Sequence, residues 1–272
     1  MRRIVIASQK GGVCKSTTAT CFAVGLARSG AKTLLIDCDG QANATWTITR
    51  GQGADKPTLG DVLLRSATAD EAIRPTPTAG LDLLPADASL NGANVALVQE
   101  IGRDTRLRSA MAAAGDRWSY VVADTAPSFS PVLANALVWG DEVIVPVDCG
   151  VYSLLGLGEL QATINEVREA YGGSVRLAGI LVTRVARNNV CRDIEAQLRE
   201  RFGPLVFSAT IPESAKFGEA GSRGLTVLDH APKSPGAAAY SSLIAEIMDH
   251  GKRAKERGRG SRVGRPGKND AA

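Results

Sequence analysis

A short loop near the N-terminus, Gln9-Lys10-Gly11-Gly12-Val13-Cys14-Lys15-Ser16-Thr17, packs lysines, glycines and hydroxyls together. That set suits phosphate chemistry. Glycines let backbone N–H groups crowd an anion, a lysine adds a point charge, and a hydroxyl can ligate Mg²⁺. The pattern G-x-x-x-x-G-K-[ST] nevertheless fails at both glycine positions, which hold Gln9 and Cys14. Placement is therefore the first test. A phosphate loop leaves a buried strand and opens a helix, so that the helix dipole also faces the anion. Here an apolar run ends at Ala7 and a helical pattern begins near Ser16.

Two other runs deliver carboxylates. YVVAD ends in Asp124, at the C-terminal end of an apolar strand, where a carboxylate can hold Mg²⁺ directly or through water. TLLIDCD delivers Asp37 and Asp39 at its C-terminal end, on the same sheet edge as the loop, where a carboxylate can orient an attacking water. In open α/β sheets ligands gather along this edge.

The elements that must position these groups are legible as alternating strands and helices. Strand-like runs fall at 3–7, 33–37, 81–84, 120–124, 142–147, 177–183 and 206–211. Most are continuously apolar, as parallel strands covered on both faces require. Between them, Ala19, Ala23 and Ala27 line a helix over 17–29 that stops at Gly30. Leu157, Leu160, Ile164 and Val167 make a second stripe, Ile194, Leu198 and Phe202 a third, and a helix over 240–250 closes the body. The expected fold is α/β, a mostly parallel sheet flanked by helices on both faces, as one domain over 1–251.

At these residues the chain resembles the deviant Walker A ATPases, and within them the ParA/Soj partition proteins. The likeness lies in K-G-G-x-x-K-[ST] with Lys10, in Asp37-Cys38-Asp39-Gly40-Gln41-Ala42-Asn43, and in the D-x-x-P of Asp124–Pro127. It extends through GILVT, TIPES and HAPKSPGA, over about residues 2–250. The resemblance implies a P-loop NTPase that forms an ATP-sandwich homodimer with Mg²⁺. The loop 10–17 would hold the phosphates, with Lys15 on the β- and γ-phosphates and Ser16 on the metal. Lys10 would reach into the partner's site, Asp39 would orient water, and Asp124 would serve the Mg²⁺. An adenine pocket would fall at Thr183, Arg184 and Pro212.

The chain departs from that family in four places. Cys14 stands where the family has glycine; a Cβ in a left-handed conformation costs about 1–2 kcal/mol. A thiol at a helix N-terminus is expected to have a lowered pKa, which would make Cys14 redox-sensitive, with Cys38 as a neighbour. Gly40 replaces a proline, Gly150 a glutamate and Glu213 an arginine.

The resemblance implies nonspecific double-stranded DNA as a ligand of the ATP dimer: Lys216 falls in the slot of a family arginine, Arg187 falls beside another, and Arg192, Arg223 and Lys233 are near enough in sequence to join the patch. It also implies a ParB-type partner that stimulates a weak ATPase and a cytoplasmic, nucleoid-associated location. The first strand starts almost at the N-terminus, so operator-specific binding is not expected. Three rival readings are a nucleotide-gated module with hydrolysis impaired by Cys14, a MinD-like positioning ATPase on another surface, and a cluster-bearing reductase. Cys149 alone does not supply a cluster, and the tail lacks the apolar face of a membrane-binding helix.

Composition agrees with this frame. The formal net charge is +4, yet residues 252–272 hold eight Lys/Arg against Glu256 and Asp270, while the rest has 24 basic and 26 acidic residues. This Gly-rich tail is expected to be disordered and to offer a loose polyanion contact. No apolar run reaches membrane-spanning length. The five cysteines, 14, 21, 38, 149 and 191, show no paired spacing and read as free thiols of a reducing compartment.

Overall fold

The computed structural model describes residues 1–150 and 153–260, with backbone alone at 153–155 and 250–260. Its centre is a sheet of β1 (Arg2–Ile6), β2 (Thr33–Cys38), β3 (Arg74–Pro75), β4 (Leu81–Leu84), β5 (Tyr120–Thr125), β6 (Glu142–Asp148) and β7 (Arg176–Thr183). The order across the sheet is β3-β4-β2-β5-β1-β6-β7. Every neighbouring pair is parallel except β3 with β4.

The apolar runs exist because each strand feeds a core on both faces. Ile4, Ile6, Leu35, Val122, Ile144 and Leu181 point to one side, against Phe22 and Leu26 of helix Lys15–Arg28 and Tyr240 of helix Pro235–Gly260. Val5, Leu34, Ile36, Val121, Ala123, Val143 and Val145 point to the other, against helices that include Pro131–Trp139 and Asn189–Phe202. Each such Leu or Ile removed from water stabilises the fold by about 1.5–3 kcal/mol. The expected stripe Leu157, Leu160, Ile164 and Val167 is buried as well. Because β1 lies between β5 and β6, the loop that follows it emerges mid-sheet, on the edge where ligands gather.

Six of the seven expected strands appear, each within one residue of its predicted ends. Residues 206–211 form no strand. They run beside β7 through single bonds, Phe207 N–H to Ile180 O and Ile211 N–H to Val182 O, both 2.9 Å. Between these, the N–H groups of Ser208 and Ala209 donate to the Glu246 carboxylate instead of a ladder. Two residues, Arg74 and Pro75, add an antiparallel edge that no periodicity announces. The final helix also outruns its expected end near residue 250 and continues to Gly260, into the segment expected to be disordered. Residues 261–272, the rest of that segment, lie outside the described residues. Among the described residues, no helix is long and apolar enough to cross a membrane.

Candidate nucleotide site

The loop after β1 turns through two left-handed residues, Gly12 at φ 75° and Cys14 at φ 65°. At Gly12 this backbone is unstrained. At Cys14, with ψ 32°, the Cβ meets the penalty of about 1–2 kcal/mol that the sequence suggested. The strained residue also starts the helix: Cys14 O accepts from Thr18 N–H at 2.8 Å. Burial pushes the Cys14 pKa up, with Asp148 adding to the rise and Arg184 opposing it. Burial, then Asp37, Asp124 and Asp39, push Cys38 well up too. The expected low-pKa thiol is therefore corrected: removal from water outweighs the helix terminus.

Lys15 is nearly buried, and its Nζ donates to Lys10 O at 2.8 Å. Burial lowers its pKa, while Asp124 and Asp39 pull it back up. The two carboxylates sit at the ends of β5 and just past β2. Register pairs Asp124 with Ile6 on one side and with Asp37 on the other. Both Asp124 oxygens are fully buried and neither has a hydrogen-bond partner. Desolvation, together with Asp37, drives its pKa well up, with Ser16 and Lys15 opposing.

Asp37 has a different role. It accepts from Asp39 N–H at 3.1 Å, and from Thr45 N–H and Thr45 Oγ1 at 2.8 and 2.7 Å, so it caps the helix Asn43–Ile48. Asp39 faces the groove and accepts from Gln41 N–H at 2.9 Å. That groove, about 1000 Å³, is lined by Gly11, Gly12, Cys14–Thr17 and Asp39, and runs on past Trp46 to Phe217.

The remaining expected residues divide. Val13 is buried and offers its carbonyl to the Thr183 hydroxyl at 3.2 Å, so Thr183 braces the loop. Arg184 and Pro212 lie side by side through the bridge between Val185 and Pro212. Arg184 has φ 54° and directs its guanidinium at Gly12 O (3.5 Å) and the Glu213 carboxylate (3.4 Å). Among the DNA candidates, Lys216 and Arg223 meet in one exposed cluster. Lys216 pairs with Glu219 at 2.7 Å, Glu219 holds His230 Nε2 at 3.1 Å, and Arg223 reaches His230 Nδ1 at 3.0 Å. Lys233 is exposed near its end, while Arg187 and Arg192 are exposed around the start of helix Asn189–Phe202.

One partner was missed. Lys10 Nζ lies 2.7–2.8 Å from both oxygens of Asp148, at the end of β6. Gly150 makes room for it, since a Cβ there would stand 2.7 Å from Nζ. The available signal was a carboxylate closing the strand next to β1. Gly40 likewise has a packing reason, because a Cβ there would meet Asn91 Oδ1 at 2.4 Å.

No cluster of three His, Cys, Asp or Glu side chains forms a metal site among the described residues. The arrangement instead offers one hydroxyl and unpartnered carboxylate oxygens beside a phosphate loop. Hard oxygen donors of this kind fit Mg²⁺ whose other ligands are phosphate and water.

Comparison with known proteins agrees with this geometry. A family of AAA domains (AAA_31) matches residues 1–177. The chromosome-partitioning ATPase Soj of Thermus thermophilus is 42% identical over 249 residues, 91% of this chain and 96% of Soj. The chromosome partitioning protein ParA of Caulobacter vibrioides is 37% identical, over 91% of this chain and 94% of ParA. The cobyrinic acid a,c-diamide synthase of Mycobacterium smegmatis, solved with an ATP analog and magnesium, superposes with a TM-score of 0.79 at 29% identity, over 93% of this chain and 96% of that one. Fold, loop and likeness together show that the chain belongs to the Soj/ParA partition ATPases of the deviant Walker A, MinD/ParA superfamily.

Proposed function

We propose that this ATPase is a dimeric switch: with ATP bound it holds double-stranded DNA without sequence preference, and a ParB-type centromere-binding protein stimulates its weak hydrolysis to move a chromosome or plasmid. The observation that carries the nucleotide half is Asp124, a buried carboxylate without partners, beside Lys15 and Ser16. Such a group is costly to bury unless a ligand completes it. Ser16 and Asp124 would hold Mg²⁺, with Asp39 close by. When bound, the ion neutralises charge on the phosphate oxygens. Lys15 supplies a fixed cation for the same charge, and Asp39, exposed to the groove, orients a water. The loop amides from Gly11 to Thr17 cradle phosphate, and Arg184 with Pro212 flanks the base.

Lys10 supports the dimer half of the reading. Its pair with Asp148 is half-exposed, so it contributes at most about 1 kcal/mol and can be exchanged for a partner's phosphates. The DNA half rests on Lys216, Arg223, Lys233, Arg187 and Arg192 as a nonspecific phosphate contact of a cytoplasmic, nucleoid-associated protein. The test is DNA binding without nucleotide, with ADP and with ATP, for wild type and Lys15→Ala. Binding that needs both ATP and Lys15 supports the switch; nucleotide-indifferent binding refutes it.

A second reading has its own observation. The left-handed Cys14 favours a module that binds ATP but hydrolyses it slowly. Cys14→Gly separates the two: a clear rise in turnover assigns the impairment to this residue, and unchanged turnover removes it.

A further inference from the structure

Among the described residues Tyr240 is the largest fully buried side chain, and it lies in the C-terminal helix, far along the chain from the loop. Its hydroxyl is 3.0 Å from Thr18 Oγ1, and both groups are out of reach of water. Thr18 is the residue whose N–H caps the Cys14 carbonyl, so Tyr240 grips the junction between loop and helix. The other side of the ring meets Phe217 edge-on, with centroids 6.0 Å apart at 90°. Phe217 in turn lines the nucleotide groove and packs tightly on Gly236, where a Cβ would stand 2.6 Å from its ring. Phe217 belongs to helix Ala215–Ser222, directly after Lys216.

From this we infer that Tyr240 is a positioning residue that couples occupancy of the phosphate loop to the helix Ala215–Ser222 that carries Lys216. The inference rests on the nucleotide reading of the loop. The physical ground is a chain of close-packed contacts with no slack: a buried hydroxyl pair at one end, an aromatic edge in the middle and a groove-lining ring at the other. A buried hydroxyl pair has one good geometry, so a shift of the loop on filling is transmitted to the ring. Phe217 reports the same shift from inside the groove.

The experiment is hydrogen exchange on the full chain, with and without Mg²⁺·ATP, for wild type, Tyr240→Phe, Thr18→Val and the double variant. In wild type, ATP slows exchange in peptides covering both 10–17 and 215–222. In Tyr240→Phe the protection of 10–17 persists, while the response of 215–222 falls at least ~3-fold. Thr18→Val reproduces this, and the double variant is no worse than either single one, because all three remove the same bond. The inference is overturned if 215–222 does not respond in wild type, or responds equally in Tyr240→Phe. DNA binding is followed in parallel. Its absence, with the response of 215–222 intact, would refute the DNA reading and leave the coupling in place.

Discussion

Asp37 and Asp124 occupy paired positions on adjacent strands, equally buried, at the same edge of the sheet. One is saturated: three hydrogen bonds bind Asp37 to the turn and helix that follow it. The other has none. Position at a strand end therefore does not distinguish a structural carboxylate from a functional one; the partner count does. Asp37 is spent on shape, and the Asp124 oxygens are left to whatever the proposed nucleotide site binds.

The largest effect expected is at the cation that faces Asp124. Lys15→Ala removes a nearly buried charge, and losses of this kind cost about 2–5 kcal/mol, so ATP affinity should fall at least ~30-fold by calorimetry. Retained affinity would detach Asp124 from nucleotide binding. Next, Asp37→Ala orphans the Thr45 and Asp39 amides and should lower apo stability by about 2–3 kcal/mol in urea titrations. Equal stability would erase the distinction between the two acids.

Acidity sharpens the same comparison. Burial raises Asp37 to about 6 from an ordinary 3.8, and raises Asp124 well up. A carboxyl with a raised folded pKa stabilises fully below its unfolded pKa and loses that contribution as pH rises through the folded one. Metal-free protein should therefore lose about 1–3 kcal/mol from these groups between about pH 4 and 7. Asp124→Asn should flatten that slope; a profile unchanged from wild type would count against the raised pKa.

Smaller effects follow away from the pair. Cys14→Gly relieves the left-handed strain but gains chain entropy, for a net stabilisation of about 1 kcal/mol or less, readable as a Tm rise of a few degrees. Glu219→Gln frees Lys216 and His230 from their acid and should raise nonspecific DNA affinity about 2–5-fold at low salt. No change would place the DNA contact elsewhere.

Much of this was legible in the residues. The six strands were, because continuous apolar runs match parallel strands covered on both faces. The loop was, because strand, Lys15-Ser16 and helix occur in sequence. What was not legible depends on residues distant in the chain. Glu246 diverts the amides that would have made 206–211 a strand. Lys10 and Asp148 meet across 138 positions, and only the sheet order brings them together. Thr183 also braces the loop through Val13, a contact 170 positions apart in the chain. The left-handed turn at Cys14 was foreseeable, but the rise of its thiol pKa was not, since burial is a property of the packed site.

The most direct test of the central claim is thermal unfolding of Asp124→Asn, without ligand and with ATP in the presence or absence of Mg²⁺. The unpartnered carboxylate predicts a variant more stable than wild type without ligand, and stabilised no further by Mg²⁺ than by ATP alone. A variant that is less stable without ligand, as Asp37→Ala should be, or that keeps the wild-type response to Mg²⁺, would contradict it.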